Sequence, residues 1–352
     1  MSQLILFIIL LLLLFISSSF LTRRLYICVS GMFLLLLASL RSRWVGVDTP
    51  GYHLMYNLLQ TDAVTEVSTH MEKGFLYFNK FLLFFSGDSQ LLFFISSAIM
   101  LGAVFYCFYK YSRFIGLSVF LYATDYYFFH LTGMRQGLAM AILLFSVPFI
   151  KQKKWGWFMA LVFLASTFHS SALLFLIFYP LSKRPCNAKT VGISLLVAIF
   201  CIGLFPSFSN LMFKLFPTYL SYSESVWFGN EVKLASIMKI LVAVIVFLFS
   251  WFTWRNISRE RQEENKLFVH ASLIGLCIML ISVRATLLER EAIYFSFFNT
   301  ILLPNMLVYH TVKIRAILIL AIIILFSLYT IITVVYRPDW YGVIPYTFFW
   351  EN

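Results

Sequence analysis

Charge is what this sequence has least of. Only 12% of its 352 residues are Asp, Glu, Lys or Arg, against 61% hydrophobic, whereas a soluble domain carries roughly 25% charged residues to wet its surface. That deficit excludes a soluble globular protein, because one core could not hide so much apolar surface. Chemical signatures are missing too. There is no P-loop, no GxGxxG fingerprint, no HExxH pair and no Cys/His metal cluster, so no metal and no cofactor is expected. The five cysteines, Cys28, Cys107, Cys186, Cys201 and Cys277, are scattered without CxxC or metal spacing, which reads as packing, not redox chemistry. No positive n-region precedes the first apolar run, so 4–21 reads as a retained first span and not a cleaved signal peptide. Matched halves with broken helices, common in inverted-repeat transporters, are also absent.

What is present is a succession of apolar runs close to the ~20 residues that cross a bilayer. They predict an all-α, polytopic integral membrane protein forming a single transmembrane domain over 1–352. Twelve segments are expected: 3–21, 25–40, 90–109, 114–131, 136–150, 154–168, 170–182, 190–206, 235–254, 267–283, 292–310 and 315–336. Basic clusters at 23–24, 110–113, 151–154, 183–189, 255–266 and 313–315 mark the cytoplasmic side and put both termini outside. These clusters hold 16 of the 27 Lys and Arg but 3 of the 15 Asp and Glu, a net +13; the rest of the chain nets −1. The net charge of +12 therefore encodes orientation and implies no nucleic-acid partner.

Outer-face loops fall near 41–73, 207–232 and 284–291, with an aromatic outer-face tail at 337–352. Residues 74–86 are too short to cross and read as an interfacial or re-entrant helix. The stretch 154–183 fits two abbreviated helices, broken near His169 at or below the outer surface. Irregular backbone at that depth is tolerated only beside protein or water.

Most of the polar residues that topology leaves unexplained gather on the outer face. They are Arg41, Arg43 and Asp48; Glu72; Asp125, His130 and Arg135; His169; and Arg284, Glu289, Arg290 and Glu291. Guanidinium groups there suit phosphate or carboxylate. Each also has a simpler reading. Arg41 and Arg43 could snorkel to headgroups, Asp48-Thr-Pro-Gly-Tyr52 is a good turn sequence, and His169 between Phe168 and Ser170 could cap helix ends. His53, His70, His270 and His310 read as loop or interfacial residues, and Lys239 and Asp125 as structural partners of neighbours.

Five segments in order resemble one family: Arg43-Trp-Val-Gly-Val-Asp48-Thr-Pro-Gly-Tyr52, Glu72-Lys-Gly74-Phe-Leu-Tyr77, Arg135-Gln-Gly-Leu-Ala-Met-Ala-Ile, Phe168-His169-Ser-Ser-Ala-Leu and Glu289-Arg290-Glu-Ala-Ile-Tyr294. They are similar to EpsG-like proteins, among the Wzy-type polymerases of bacterial surface polysaccharides. The resemblance implies a GT-C-like glycosyltransferase of the inner membrane, acting at its periplasmic face without metal or nucleotide sugar. It would join oligosaccharide repeat units carried on undecaprenyl pyrophosphate, among membrane lipids and with a chain-length-determining membrane protein as a partner. On that reading Arg135 and Arg290, assisted by Arg43 or Arg284, bind pyrophosphate. His169, Asp48, Glu72 or Glu289 supplies the general base, and Tyr52, Tyr77 and Tyr294 meet sugar. Alternatives are an O-antigen ligase, which the absence of a large late loop disfavours, a lipid-linked oligosaccharide flippase, and an acyltransferase with its histidine on the cytoplasmic side.

Overall fold

The computed structural model describes residues 2–61, 71–215, 234–336 and 338–351. His70, with 62–70 of the first outer loop and 216–233 of the second, lies outside the described residues. All regular elements among the described residues are helical, apart from one antiparallel bridge between Arg41 and Phe348. Among the described residues, six helices are long and apolar enough to cross a membrane: Ser89–Tyr111, Met134–Lys151, Ala188–Ser207, Ser236–Arg255, Arg259–Ile281 and Val312–Tyr336. Four shorter apolar helices accompany them, Ser2–Ser17, Ile115–Asp125, Trp155–Ser166 and Ser170–Ser182. Ile317, Leu320 and Leu325 are exposed along one of the most apolar helices, as expected where lipid is the solvent.

The chain forms two compact units, residues 1–173 with 310–352, and residues 174–309. The first holds α1 (Ser2–Ser17), α2 (Arg23–Ser39), α3 (Thr49–Leu58), α4 (Lys73–Leu83), α5 (Ser89–Tyr111), α6 (Ile115–Asp125), α7 (Tyr127–Thr132), α8 (Met134–Leu144), α9 (Val147–Lys151) and α10 (Trp155–Ser166). A 3-10 segment, Ser170–Ile177, runs across the boundary. The second unit holds α11 (Phe178–Ser182), α12 (Ala188–Leu215), α13 (Leu234–Arg255), α14 (Arg259–Ile281), α15 (Leu288–Ser296) and α16 (Asn299–Leu307). Helix α17 (Val312–Tyr336) and the short α18 (Pro338–Tyr341) return to the first unit.

Several boundaries differ from the sequence reading. The expected segment 114–131 divides into α6 and α7 at Tyr126, and 292–310 divides into α15 and α16. Asp48–Tyr52, expected as a turn, opens helix α3. Its proline occupies the first turn, where no amide hydrogen is needed. Tyr52, Met55, Tyr56 and Leu59 then fall on one buried face at helical spacing. Helix α4 matches the expected short element, with 11 residues, too few to cross. It buries Phe75, Leu76, Asn79 and Leu82 and leaves Tyr77 and Phe81 exposed.

Helices α5 and α8 run parallel and close. A Cβ on Gly137 would strike the Met100 sulfur, and seven residues further along both helices Cys107 Sγ meets the Leu144 carbonyl at 3.9 Å. Met100 is the midpoint of α5, so α8 and its Arg135 begin near mid-length of a helix ~34 Å long. Helix α10, with 12 residues, rises only ~18 Å, short of a ~30 Å hydrocarbon core. The break expected near His169 takes this form, with the turn carrying His169 directly after the shortened α10.

Candidate functional site

In the first unit three segments far apart in sequence converge on one carboxylate. Arg135 Nη1 donates to Glu72 Oε2 at 2.7 Å, and His169 Nδ1 lies 3.2 Å from Glu72 Oε1. The Ser170 amide approaches the same oxygen at 3.4 Å. Burial raises the Glu72 carboxyl pKa, but the His169 hydrogen bond and the Arg135 charge outweigh it and draw the group down to about 2. Tyr52 lies against the same guanidinium and interacts with it. Burial raises that phenol above its ordinary value.

Local backbone fixes this arrangement. Glu72 is the N-cap of α4. The amide of Gly74 donates to the Thr167 carbonyl at 2.8 Å, so the helix start is docked on the turn that bears His169. A Cβ at Gly74 would sit 2.7 Å from that carbonyl oxygen, so only glycine permits the approach. Tyr52 packs edge-on to Phe75, ring centroids 5.7 Å apart, tying α3 to α4.

A second cluster lies at the start of α3. Arg43 Nη1 is 3.3 Å from His53 Nε2, which also receives Asn57 Nδ2 at 3.1 Å, and His53 Nδ1 is 2.6 Å from Ser89 Oγ. The Arg43 guanidinium also covers the Trp44 ring, 5.1 Å from its centroid. Arg41 departs from the headgroup reading. It is fully buried, bonded to the carbonyls of Ala38 and Leu131, and stacked 4.9 Å over Phe93. Burial draws its pKa down to about 10.

The aromatic tail closes over this loop through its backbone. The Ser42 amide donates to Thr347, Phe349 to Leu40, Gly46 to Gly342 and Val47 to Tyr341, at 2.8–3.1 Å. Tyr346 OH reaches the Leu37 carbonyl at 2.6 Å, while the Gln3 amide group bonds both backbone groups of Tyr346. Gly46 has φ +108° and Gly342 φ +57°, conformations that side-chain-bearing residues avoid.

In the second unit, Glu289 is buried and ion-paired with Lys239 at 2.7 Å, and Ser236 donates to its other oxygen. Lys239 is thus the structural partner expected. Arg290 shares α15 with Glu289, and Arg284 Nε reaches the Ile202 carbonyl at 3.3 Å. His270, read as a loop or interfacial residue, is instead buried on α14 and bonded to the Arg184 carbonyl. A buried Asn305–Asn265 bond of 2.9 Å joins α16 to α14.

Of the residues singled out from sequence, the first unit therefore brings together Glu72, Arg135, His169 and Tyr52. Arg43 forms a neighbouring cluster on α3, and Asp48 is exposed at that helix's start. Glu289, Arg290, Arg284 and Tyr294 belong to the second unit. Among the three tyrosines expected to meet sugar, Tyr77 is exposed while Tyr52 and Tyr294 are buried. His53 and Ser89 were missed. The stripe of α3 carried the signal, but a turn reading of 48–52 left it unread. Among the described residues no group of three or more His, Cys, Asp or Glu is placed to hold a metal ion.

The model of the EpsG family matches residues 24–348. The chain belongs to the EpsG family. This is a Wzy-like polysaccharide polymerase family, and the matched range takes in all five segments that carried the resemblance. No curated protein and no solved structure matches the chain.

Proposed function

We propose that this EpsG-family protein is a GT-C-like glycosyltransferase that joins oligosaccharide repeat units carried on undecaprenyl pyrophosphate. It acts at the periplasmic face of the bacterial inner membrane, with neither metal nor nucleotide sugar. The observation that carries this reading is the convergence of Arg135 and His169 on Glu72, at the turn that follows a shortened helix. A charged centre so placed suits a lipid-linked donor whose reacting bond lies near the membrane surface.

The geometry supports a division of roles. A carboxyl drawn down to about 2 is a poor base but a good fixed anion. Glu72 therefore orients His169 through Nδ1, leaving Nε2 to take the proton from the acceptor hydroxyl. The acceptor oxygen then attacks the anomeric carbon of the donor. The bond from that carbon to the pyrophosphate oxygen breaks, and its electron pair leaves with the lipid pyrophosphate. Direct displacement with one base predicts inversion. Arg135, half-buried, keeps donors beyond the one given to Glu72 for the developing charge. Arg284 and Arg290 are the phosphate-binding candidates of the second unit. Asp48 is the remaining exposed carboxylate of the first unit's motif, and Tyr77 its exposed sugar-stacking ring. A chain-length-determining membrane protein is the proposed partner.

The test is purified protein in nanodiscs with lipid-linked repeat units and a chelator. The expected product is a ladder of longer chains on the lipid, lost in His169→Ala. Transfer of glycan to a non-glycan acceptor, or movement of the substrate between leaflets without chain growth, would replace this reading with ligase or flippase.

A further inference from the structure

The two arginines of the first unit's motifs differ in what balances their charge. Arg135 faces the Glu72 carboxylate. Arg43 faces an imidazole, and no described carboxylate lies within ion-pairing distance of it. A guanidinium has donors only, so the His53 Nε2 it meets must offer a lone pair. The ring proton then sits on Nδ1 and is donated to Ser89 Oγ at 2.6 Å. Asn57 Nδ2, at 3.1 Å from the same Nε2, points to the same tautomer. His53 is thereby held as a neutral acceptor, which fixes the Arg43 side chain without cancelling its charge. Arg43 Nε is buried and has no hydrogen-bond partner, an unmet donor of this half-buried cation. The exposed Trp44 ring lies under the guanidinium.

We propose that Arg43, His53 and Ser89 form an anion subsite for a phosphate group of the lipid-linked substrate, with His53 as the residue that positions Arg43. The identity of the anion rests on the polymerase reading above. Protonated His53 would set a donor against the guanidinium, so the site requires the neutral ring. Two charged groups bear on its titration, Arg43 from the loop and Asp88 from the start of α5. Burial and then Arg43 lower the His53 pKa, and Asp88 opposes them. Binding should therefore be full at neutral pH and fall only below the ordinary histidine range.

The experiment is titration of inorganic pyrophosphate into nanodisc-embedded protein, paired with KM and kcat for the lipid-linked unit. Arg43→Ala should weaken pyrophosphate binding about tenfold or more, the usual yield of a hydrogen bond to a charged group. His53→Ala should weaken it by a similar direction and smaller amount, and His53→Gln, which keeps an acceptor, should restore most of it while removing the acid limb. Ser89→Ala, which removes only the partner of Nδ1, should show a milder loss and serves if His53→Ala does not fold. In turnover, the His53 variants should raise KM and spare kcat. Unchanged pyrophosphate binding in Arg43→Ala and His53→Ala would overturn the subsite. Arg43-dependent binding with an unmoved KM would assign the site to free anion and overturn its link to the lipid substrate. Arg43-dependent binding in a protein that builds no polymer would leave the subsite standing and sink the polymerase reading instead.

Discussion

Glu72 receives Arg135 on one carboxylate oxygen and His169 on the other, so neutralising it releases both partners at once. Glu72→Gln should cut polymerisation on the order of a hundredfold, more than the loss of one sugar contact, with protein abundance in the membrane nearly unchanged. Nearly full activity in that variant would place the chemistry elsewhere. The same contacts set a pH window. The folded-state pKa is depressed to about 2, so the stabilisation is fully present above the ordinary glutamate value. It is lost as pH falls through about 2. Thermal unfolding of the wild type should show this acid limb between those values, and Glu72→Gln should lack it. Gly74 is the residue whose role was least legible. Its place in Glu72-Lys-Gly74 was plain in the sequence, but the Thr167 carbonyl that demands it lies more than ninety residues further along the chain. Gly74→Ala should force α4 off that turn and lower activity as Glu72→Gln does, while retaining an ionisable carboxylate. Hydrogen exchange at the Gly74 and Phe75 amides would register the displacement.

Among the elements, the short helix α4 and the break between short helices at His169 were readable, because a length too short for the bilayer is visible in hydropathy alone. Helix α3 was not read, since Thr-Pro-Gly suits a turn as well as a first helical turn, and the deciding stripe begins only at Tyr52. The place of Arg135 beside the middle of α5 was also hidden. It depends on the parallel contact of Gly137 with Met100, which no local pattern announces. The tail was expected on the outer face, and its backbone pairing with the loop from Leu40 to Val47 was not foreseen. Those backbone bonds hold the loop from which Arg43 projects. Removal of 341–352 should therefore raise hydrogen exchange at Ser42, Gly46 and Val47 and shorten the polymer, with the six long helices retained by circular dichroism. A truncated protein with wild-type exchange at those amides would show that the loop holds itself.

At the scale of the whole molecule, composition and basic clusters were enough to establish a helical, multi-pass membrane protein, because both reflect the solvent and not the fold. The meeting of Glu72, Arg135 and His169 was not available from the sequence, whose segments stand 63 and 97 residues apart. The orientation expected from the basic clusters makes its own prediction. In a cysteine-free background, a membrane-impermeant thiol reagent added outside should label a cysteine at Ser170 and spare one at Asn256. The reverse pattern would invert the topology and revive the acyltransferase alternative. The most direct test of the central claim uses the producing cell. The gene is deleted and complemented with wild type, Glu72→Gln, Arg135→Ala or His169→Ala, and surface glycan is resolved by size on a gel. The account predicts single repeat units in the deletion, a full ladder with wild type, and little or no ladder with any of the three variants. Full-length ladders from all three variants, or loss of all glycan in the deletion, would contradict it.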